Sequence, residues 1–135
     1  MGETRRASAR IEVSRWDPKS YDQRPGAAEL VHVAVEETFS GDLTGDGRAT
    51  FLQVVADDGS ASFVGVERFV GSLAGHDGSF VLQDQGTLSA DGKVAGTWFV
   101  VPGSGTEKLA GLRGDGGFQA ELGQSAEAYI DYELD

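Results

Sequence analysis

Three carboxylates carry the chemistry open to this chain: Glu37, Glu67 and Asp84. Each interrupts an alternating run at a position whose partners two residues away are apolar or small. Val35 and Phe39 flank Glu37, Gly65 and Phe69 flank Glu67, and Leu82 and Gly86 flank Asp84. In a strand, residues two apart share a face, so each acid falls on an apolar face. A charged carboxylate there is costly and must be paired, hydrated or protonated. Held protonated near neutral pH, it suits general acid or base work, and neighbouring carboxylates push each other's titrations apart. The plainer reading is that a one-residue register slip turns all three to solvent, or that they pair with an inward cation or accept from Tyr or Thr.

Other patterns carry less. Asp42-Leu43-Thr44-Gly45-Asp46-Gly47 partly imitates a calcium-binding loop, but its closing position is Gln53, so it reads as a turn. His32 and His76 have no zinc-site spacing, which argues against a metal. Gly103-Ser104-Gly105-Thr106 offers backbone N–H groups to an anion, yet it lacks the Lys of a phosphate loop and reads better as a barrel-end plug. Ser104 is not in a nucleophile-elbow frame, because position 102 is Pro. Arg113-Gly114-Asp115 reads as chance. No redox cofactor motif is present, so any reaction is expected to be cofactor-free.

Strands must position the acids. Alternation predicts strands over Ala9 to Trp16, Leu30 to Ser40, Arg48 to Ala56, Ser62 to Leu73, Ser79 to Ser89, Val94 to Val101, Gly116 to Leu122 and Ala126 to Leu134. Asp17-Pro18 ends the first, and a long loop through Tyr21, Asp22, Pro25 and Gly26 follows. Residues 106–110 read as one helical turn stopped by Gly111. Turns are expected at Asp58-Gly59, around His76-Asp77 and at Asp91-Gly92, because Asp-Gly suits a two-residue hairpin loop with positive φ.

Counting outward from those turns sets Thr50 opposite Glu67, and Asp84 opposite Phe69 and Phe99. The apolar face then gathers Val35, Phe39, Leu52, Val54, Phe63, Phe69, Leu82 and Phe99 around the three acids, with Gly65 and Gly86 leaving room. Thr50, Leu52, Phe63, Phe69 and Phe99 are the expected substrate-lining residues. Trp98 falls on the opposite, outer face with Val64, Val66, Val94 and Val100. That apolar patch suits contact between copies in a homo-oligomer, or burial under the N-terminal segment or the long loop.

Eight antiparallel strands in 135 residues, with almost no helix, predict an all-β fold in one domain over 1–135, with 1–8 flexible. Closing the meander into a barrel removes both edges, and eight strands leave an interior for side chains or one small ligand. A two-sheet sandwich is the alternative.

Eleven basic and 22 acidic residues leave a net charge of −11. Such a surface repels phosphate backbones and anionic lipid, which argues against nucleic-acid and membrane partners. The chain has no cysteine, which excludes disulfides and thiolate chemistry and fits a cytoplasmic location. No apolar run approaches a membrane span, and no apolar stretch of a signal peptide follows the basic start.

The blocks Phe63-Val64-Gly65-Val66-Glu67-Arg68, Gly78-Ser79-Phe80-Val81-Leu82-Gln83, Gly96-Thr97-Trp98-Phe99-Val100-Val101-Pro102-Gly103-Ser104-Gly105-Thr106 and Leu109-Ala110-Gly111-Leu112-Arg113-Gly114 resemble a bacterial family of small proteins of unknown function. The resemblance spans nearly the whole chain and implies a barrel similar to allene oxide cyclase. The plant cyclase's catalytic motif has no match here, so no catalytic residue is carried across.

Two functions follow from an acid-bearing lumen. One is a cofactor-free isomerase or cyclase for a small hydrophobic molecule, with Glu67 as acid, base or cation stabiliser and Asp84 or Glu37 assisting. The other is a non-catalytic carrier of a small apolar ligand. A barrel filled by its own side chains would leave only its outer surface to act.

Overall fold

The computed structural model describes residues 3–135, so Met1 and Gly2, part of the start expected to be flexible, lie outside it. Eight strands run in chain order: β1 (Arg5–Asp22), β2 (Glu29–Gly41), β3 (Leu43–Val55), β4 (Ala61–Leu73), β5 (His76–Leu88), β6 (Lys93–Val100), β7 (Arg113–Glu121) and β8 (Ala126–Glu133). They form a closed antiparallel barrel in simple meander order, with β8 pairing back on β1. A single 3-10 turn, Glu107–Leu109, interrupts the pattern, inside the predicted 106–110. Among the described residues, no helix is long and apolar enough to cross a membrane.

The turns explain where the register departs from expectation. Between β3 and β4 the loop holds three residues, Asp57-Asp58-Gly59, closed by Ala56 N–H donating to Ser60 O at 2.8 Å. Between β5 and β6 it is Ala90-Asp91-Gly92, closed by Ser89 N–H donating to Lys93 O at 2.9 Å. Each loop ends on a glycine with positive φ, +87° at Gly59 and +88° at Gly92, as in a tight turn followed by a one-residue bulge. One extra loop residue slips each pairing by one and exchanges the faces of β3 and β6. Thr50, Leu52 and Val54 therefore point outward, Phe51 and Gln53 inward, and Trp98 replaces Phe99 inside. The β4–β5 turn is Ala74-Gly75, both with positive φ, rather than the predicted His76-Asp77. That shift is even, so the inward faces of β4 and β5 stay as expected. Glu67 now lies opposite Leu82, and Asp84 opposite Gly65 and Trp98.

The first strand is also longer than expected. It begins at Arg5 and continues through Pro18 to Asp22, so the predicted long loop shrinks to a short connection. A register shift between Val13 and Arg15 reverses its alternation, so Val13 and Trp16 both face the barrel mouth.

The interior divides into two halves. At the end carrying the β2–β3, β4–β5 and β6–β7 connections, Phe39, Leu43, Phe69, Leu73, Phe80, Leu82, Ile130 and Tyr132 pack solidly. Leu109 and Leu112, from the segment after β6, close that end and are fully buried. Ser104 and Thr106 take over the pairing that β6 relinquishes. Val81 N–H donates to Ser104 Oγ at 3.0 Å, and Ser79 N–H to Thr106 Oγ1 at 3.0 Å. Those hydroxyls bind the β5 edge, as a plug requires. The opposite half is hollow.

Candidate functional site

The hollow half is a cavity of about 710 Å³, within the range of small-molecule sites. It opens between the β7–β8 turn (Leu122, Gly123, Gln124), the β1 bulge (Val13, Trp16) and the β5–β6 end (Leu88, Val94). Its walls are kept thin by a staircase of cross-strand pairs: Phe51 opposite Gly65, Phe63 opposite Gly86, and Phe118 opposite Gly96. At each of these glycines a Cβ would collide with the ring of its partner, so the ring lies across bare backbone. The space that Gly65 and Gly86 vacate is thus taken by neighbouring rings, and the open volume lies inside them. Phe51 and Phe63 meet edge to face at 5.4 Å, and Phe118 packs on Trp98 at 4.9 Å. The Trp98 indole N–H donates to Tyr129 O at 3.0 Å, which fixes the ring.

Glu37, Glu67 and Asp84 come together where the hollow half meets the packed one. Glu67 is 1% exposed and Asp84 2%. Glu37 is half-buried and lines the same cavity. Gly47 makes room for Glu67, since a Cβ there would strike Glu67 Oε2 and the Phe39 ring. Burial pushes the Glu67 carboxyl well above the ordinary carboxylate range; its hydrogen bond with Glu37 and the charges of Glu37 and Asp84 push it further. Burial also raises Glu37, while the hydrogen bond from Glu67 opposes that rise. That shared hydrogen bond favours the protonated form of Glu67 and the ionised form of Glu37. Burial first, and the Glu37 charge second, push Asp84 up to about 8.

No lining residue is Lys, Arg or His. The ion pairs among the described residues lie on the outer surface, such as Arg6 with Asp131 at 2.8 Å and Arg113 with Glu133 at 3.2 Å. Glu67 Oε2 and Asp84 Oδ1 are buried and find no donor among the described residues. Buried polar atoms in native proteins are nearly all hydrogen-bonded, so two such oxygens at one cavity floor call for an explanation.

Of the residues expected to line a ligand, Phe63 does so. Phe69 is fully buried but sits below the acids, 5.1 Å from both Phe39 and Phe80. Thr50, Leu52 and Phe99 do not reach the lumen: Thr50 is exposed on the outer wall, Leu52 is 46% exposed and Phe99 41%. Trp98 is 3% exposed and inward, so the outer apolar surface consists of Leu52, Val54, Val64, Val66 and Phe99 instead. Four aromatic lining residues escaped the sequence reading: Trp16, Phe51, Trp98 and Phe118. Phenylalanine facing glycine across a strand pair was the available signal for Phe51 and Phe118.

A family model described as "Protein of unknown function (DUF3224)" matches residues 7–132. The chain is also similar to a crystal structure of a DUF3224-family protein with unknown function from Shewanella oneidensis MR-1. That match has 30% sequence identity and a TM-score of 0.82, covering 98% of this chain and 99% of that one. A comparison with curated proteins finds no match.

Proposed function

The chain belongs to the DUF3224 family, and for this member we propose that the lumen holds a small, mostly apolar molecule with its polar end on the acid floor. One observation carries the reading: Glu67 Oε2 and Asp84 Oδ1 stand without a donor at the bottom of a cavity of about 710 Å³ that opens to the surface. A molecule with an apolar body and a hydrogen-bond-donating end fits both parts. Its body takes the aromatic walls, and its end satisfies the oxygens whose desolvation the fold has borne.

A catalytic version of this reading, a cofactor-free isomerase or cyclase, draws support from the staggered acids. Protonated Glu67 is an acid, Glu37 beside it can take a proton back, and Asp84 titrates near 8. Neutral acids of this kind can protonate a carbonyl or alkene and return the molecule rearranged.

The test is native mass spectrometry of the protein purified from its own host, followed by extraction and identification of what is bound. A stoichiometric small molecule is expected, absent from an Ala120→Trp variant that fills the mouth. If neither native spectra nor a screen of small hydrophobic probes monitored by Trp16 and Trp98 fluorescence shows an occupant, the lumen is not a ligand site. A product differing from an added compound, lost in Glu67→Gln, supports catalysis; recovery of every bound compound unchanged supports carriage.

A further inference from the structure

We infer that the lumen selects an amphipathic organic cation, an ammonium group borne on a compact hydrocarbon body, with the ammonium at the Glu37–Glu67–Asp84 floor. This rests on the reading of the lumen as a ligand site and names the chemistry of its occupant.

The charge of the lining is one-sided. Five carboxylates line the cavity: Glu37, Glu67 and Asp84 at the floor, Glu12 and Glu121 nearer the mouth. No basic side chain accompanies them. Two of the floor oxygens are buried with no donor. An ammonium brings three N–H donors and a positive charge, and it satisfies both needs in one group. A ligand carboxylate or phosphate would find no cation in this lining and would be repelled by whichever of its carboxyl groups are ionised. An alcohol brings a single donor and leaves one floor oxygen unmet.

The walls favour the same class. Trp98 lines the lumen but commits its indole N–H to Tyr129 O, so it offers a ligand aromatic surface and no donor. With Phe63 and Phe118 it forms an aromatic collar above the acids, and aromatic faces attract desolvated cations. The three floor acids are not arranged as a set able to hold a metal ion, which favours an organic cation over an inorganic one.

Occupancy by a cation should depend on pH, because Asp84 must ionise to pair with it. The titratable groups close to Asp84 are Glu67 from β4 and Glu37 from β2; Glu12 from β1 and Glu121 from β7 line the same cavity but are exposed toward its mouth. β3 presents Phe51 and Gln53, β6 presents Trp98 and Val94, and β8 presents Ala126, none of which titrates. For a group titrating at about 8, the ionised fraction falls about 50-fold between pH 8 and pH 6. Charge retained on the Glu37–Glu67 pair softens the effect, so a loss of ten- to fiftyfold in affinity is expected, while an alkylammonium stays protonated throughout.

The experiment titrates three probes of one skeleton into the protein, followed by NMR and Trp fluorescence: benzylammonium chloride, benzyl alcohol and sodium benzoate. At pH 8 benzylammonium should bind at least tenfold tighter than benzyl alcohol, and benzoate should not bind. At pH 6 the benzylammonium affinity should drop at least tenfold while that of benzyl alcohol stays level. Asp84→Asn should abolish the pH dependence of benzylammonium binding. Benzyl alcohol binding as tightly as the amine, benzoate binding best, or an amine affinity constant from pH 8 to pH 6 overturns the inference and leaves the lumen as a ligand site. Failure of benzylammonium to perturb Trp16 or Trp98 at any pH overturns the inference, and the ligand-site reading falls with it only where native spectra also show no occupant.

Discussion

A barrel that buries three acids without a cation should grow less stable as pH rises, and Asp84 lets the size be worked out. Its carboxyl has an ordinary value of 3.8 and is held at about 8 in the fold. A carboxyl raised on folding takes up a proton, so its contribution favours the folded state at low pH and is lost progressively as pH climbs from 3.8 toward 8. Within that window the slope is about −1.4 kcal/mol per pH unit for one proton. Between pH 5 and pH 8, flattening near the upper limit leaves a loss of about 3.5 kcal/mol from Asp84 alone. That is a sizeable fraction of the 5–15 kcal/mol typical of a domain. Glu37 and Glu67 are shifted in the same direction and add to it. The surface acids Asp58, Asp91 and Asp131 are shifted downward, so their opposite contribution falls below pH 4, outside the window. Urea unfolding at pH 5, 6, 7 and 8 reads the slope directly. With a typical dependence on urea, the midpoint should fall by about 2 M across the series. Asp84→Asn should flatten the slope and be more stable than the parent at pH 8. A parent midpoint that stays level or rises from pH 5 to pH 8, or an Asp84→Asn slope equal to the parent's, refutes the claim that these acids are desolvated together inside the lumen.

The register of β6 makes Trp98 and Phe99 unequal neighbours. Trp98→Ala should cost about 3–5 kcal/mol in urea unfolding, whereas Phe99→Ala should stay within about 1 kcal/mol; equal costs would mean that the faces are reversed. The β4–β5 turn holds Ala74 at φ +49°, a region that Ala disfavours and Asn tolerates. Ala74→Asn should therefore raise stability by about 0.5–1 kcal/mol, measured the same way, and a loss would place the turn elsewhere.

Strand number, order and closure were legible because alternation and turn residues are local signals, and eight alternating runs with no partner for the outer two leave closure as the economical solution. Faces were harder. They depend on whether Asp-Gly sits in a two-residue loop or ends a three-residue one, and the same dipeptide serves both. At Asp58-Gly59 and Asp91-Gly92 the longer loop won, and that single residue carried Thr50, Leu52 and Phe99 to the outer wall and Trp98 to the inner one. Glu67 and Asp84 escaped because they lie on β4 and β5, whose shared turn moved by an even count. Glu37 kept its face through the phase of its own strand. The bulge after Val13 left no trace in composition, so Trp16 at the mouth could not be read ahead of the coordinates.

The division of the barrel into a packed half and a hollow half follows from which residues the glycines face. Toward the closed end, inward positions on neighbouring strands carry large apolar side chains, and Leu109 and Leu112 fill what remains. Toward the open end, Gly65, Gly86 and Gly96 each accept a phenylalanine ring flat against the wall, so the aromatic mass lies around the axis and not on it. The acids occupy the boundary between these halves. One step deeper, they would be sealed in hydrocarbon with no route to water or ligand; one step higher, solvent would restore ordinary titration. Because the packed half supplies stability, the boundary can hold carboxyl oxygens without donors, and the free energy that they withhold from folding is returned to whatever molecule brings donors down the lumen. Stability loss with pH and affinity for a donor-bearing cation are therefore two readings of the same buried oxygens, and a variant that removes one should remove the other.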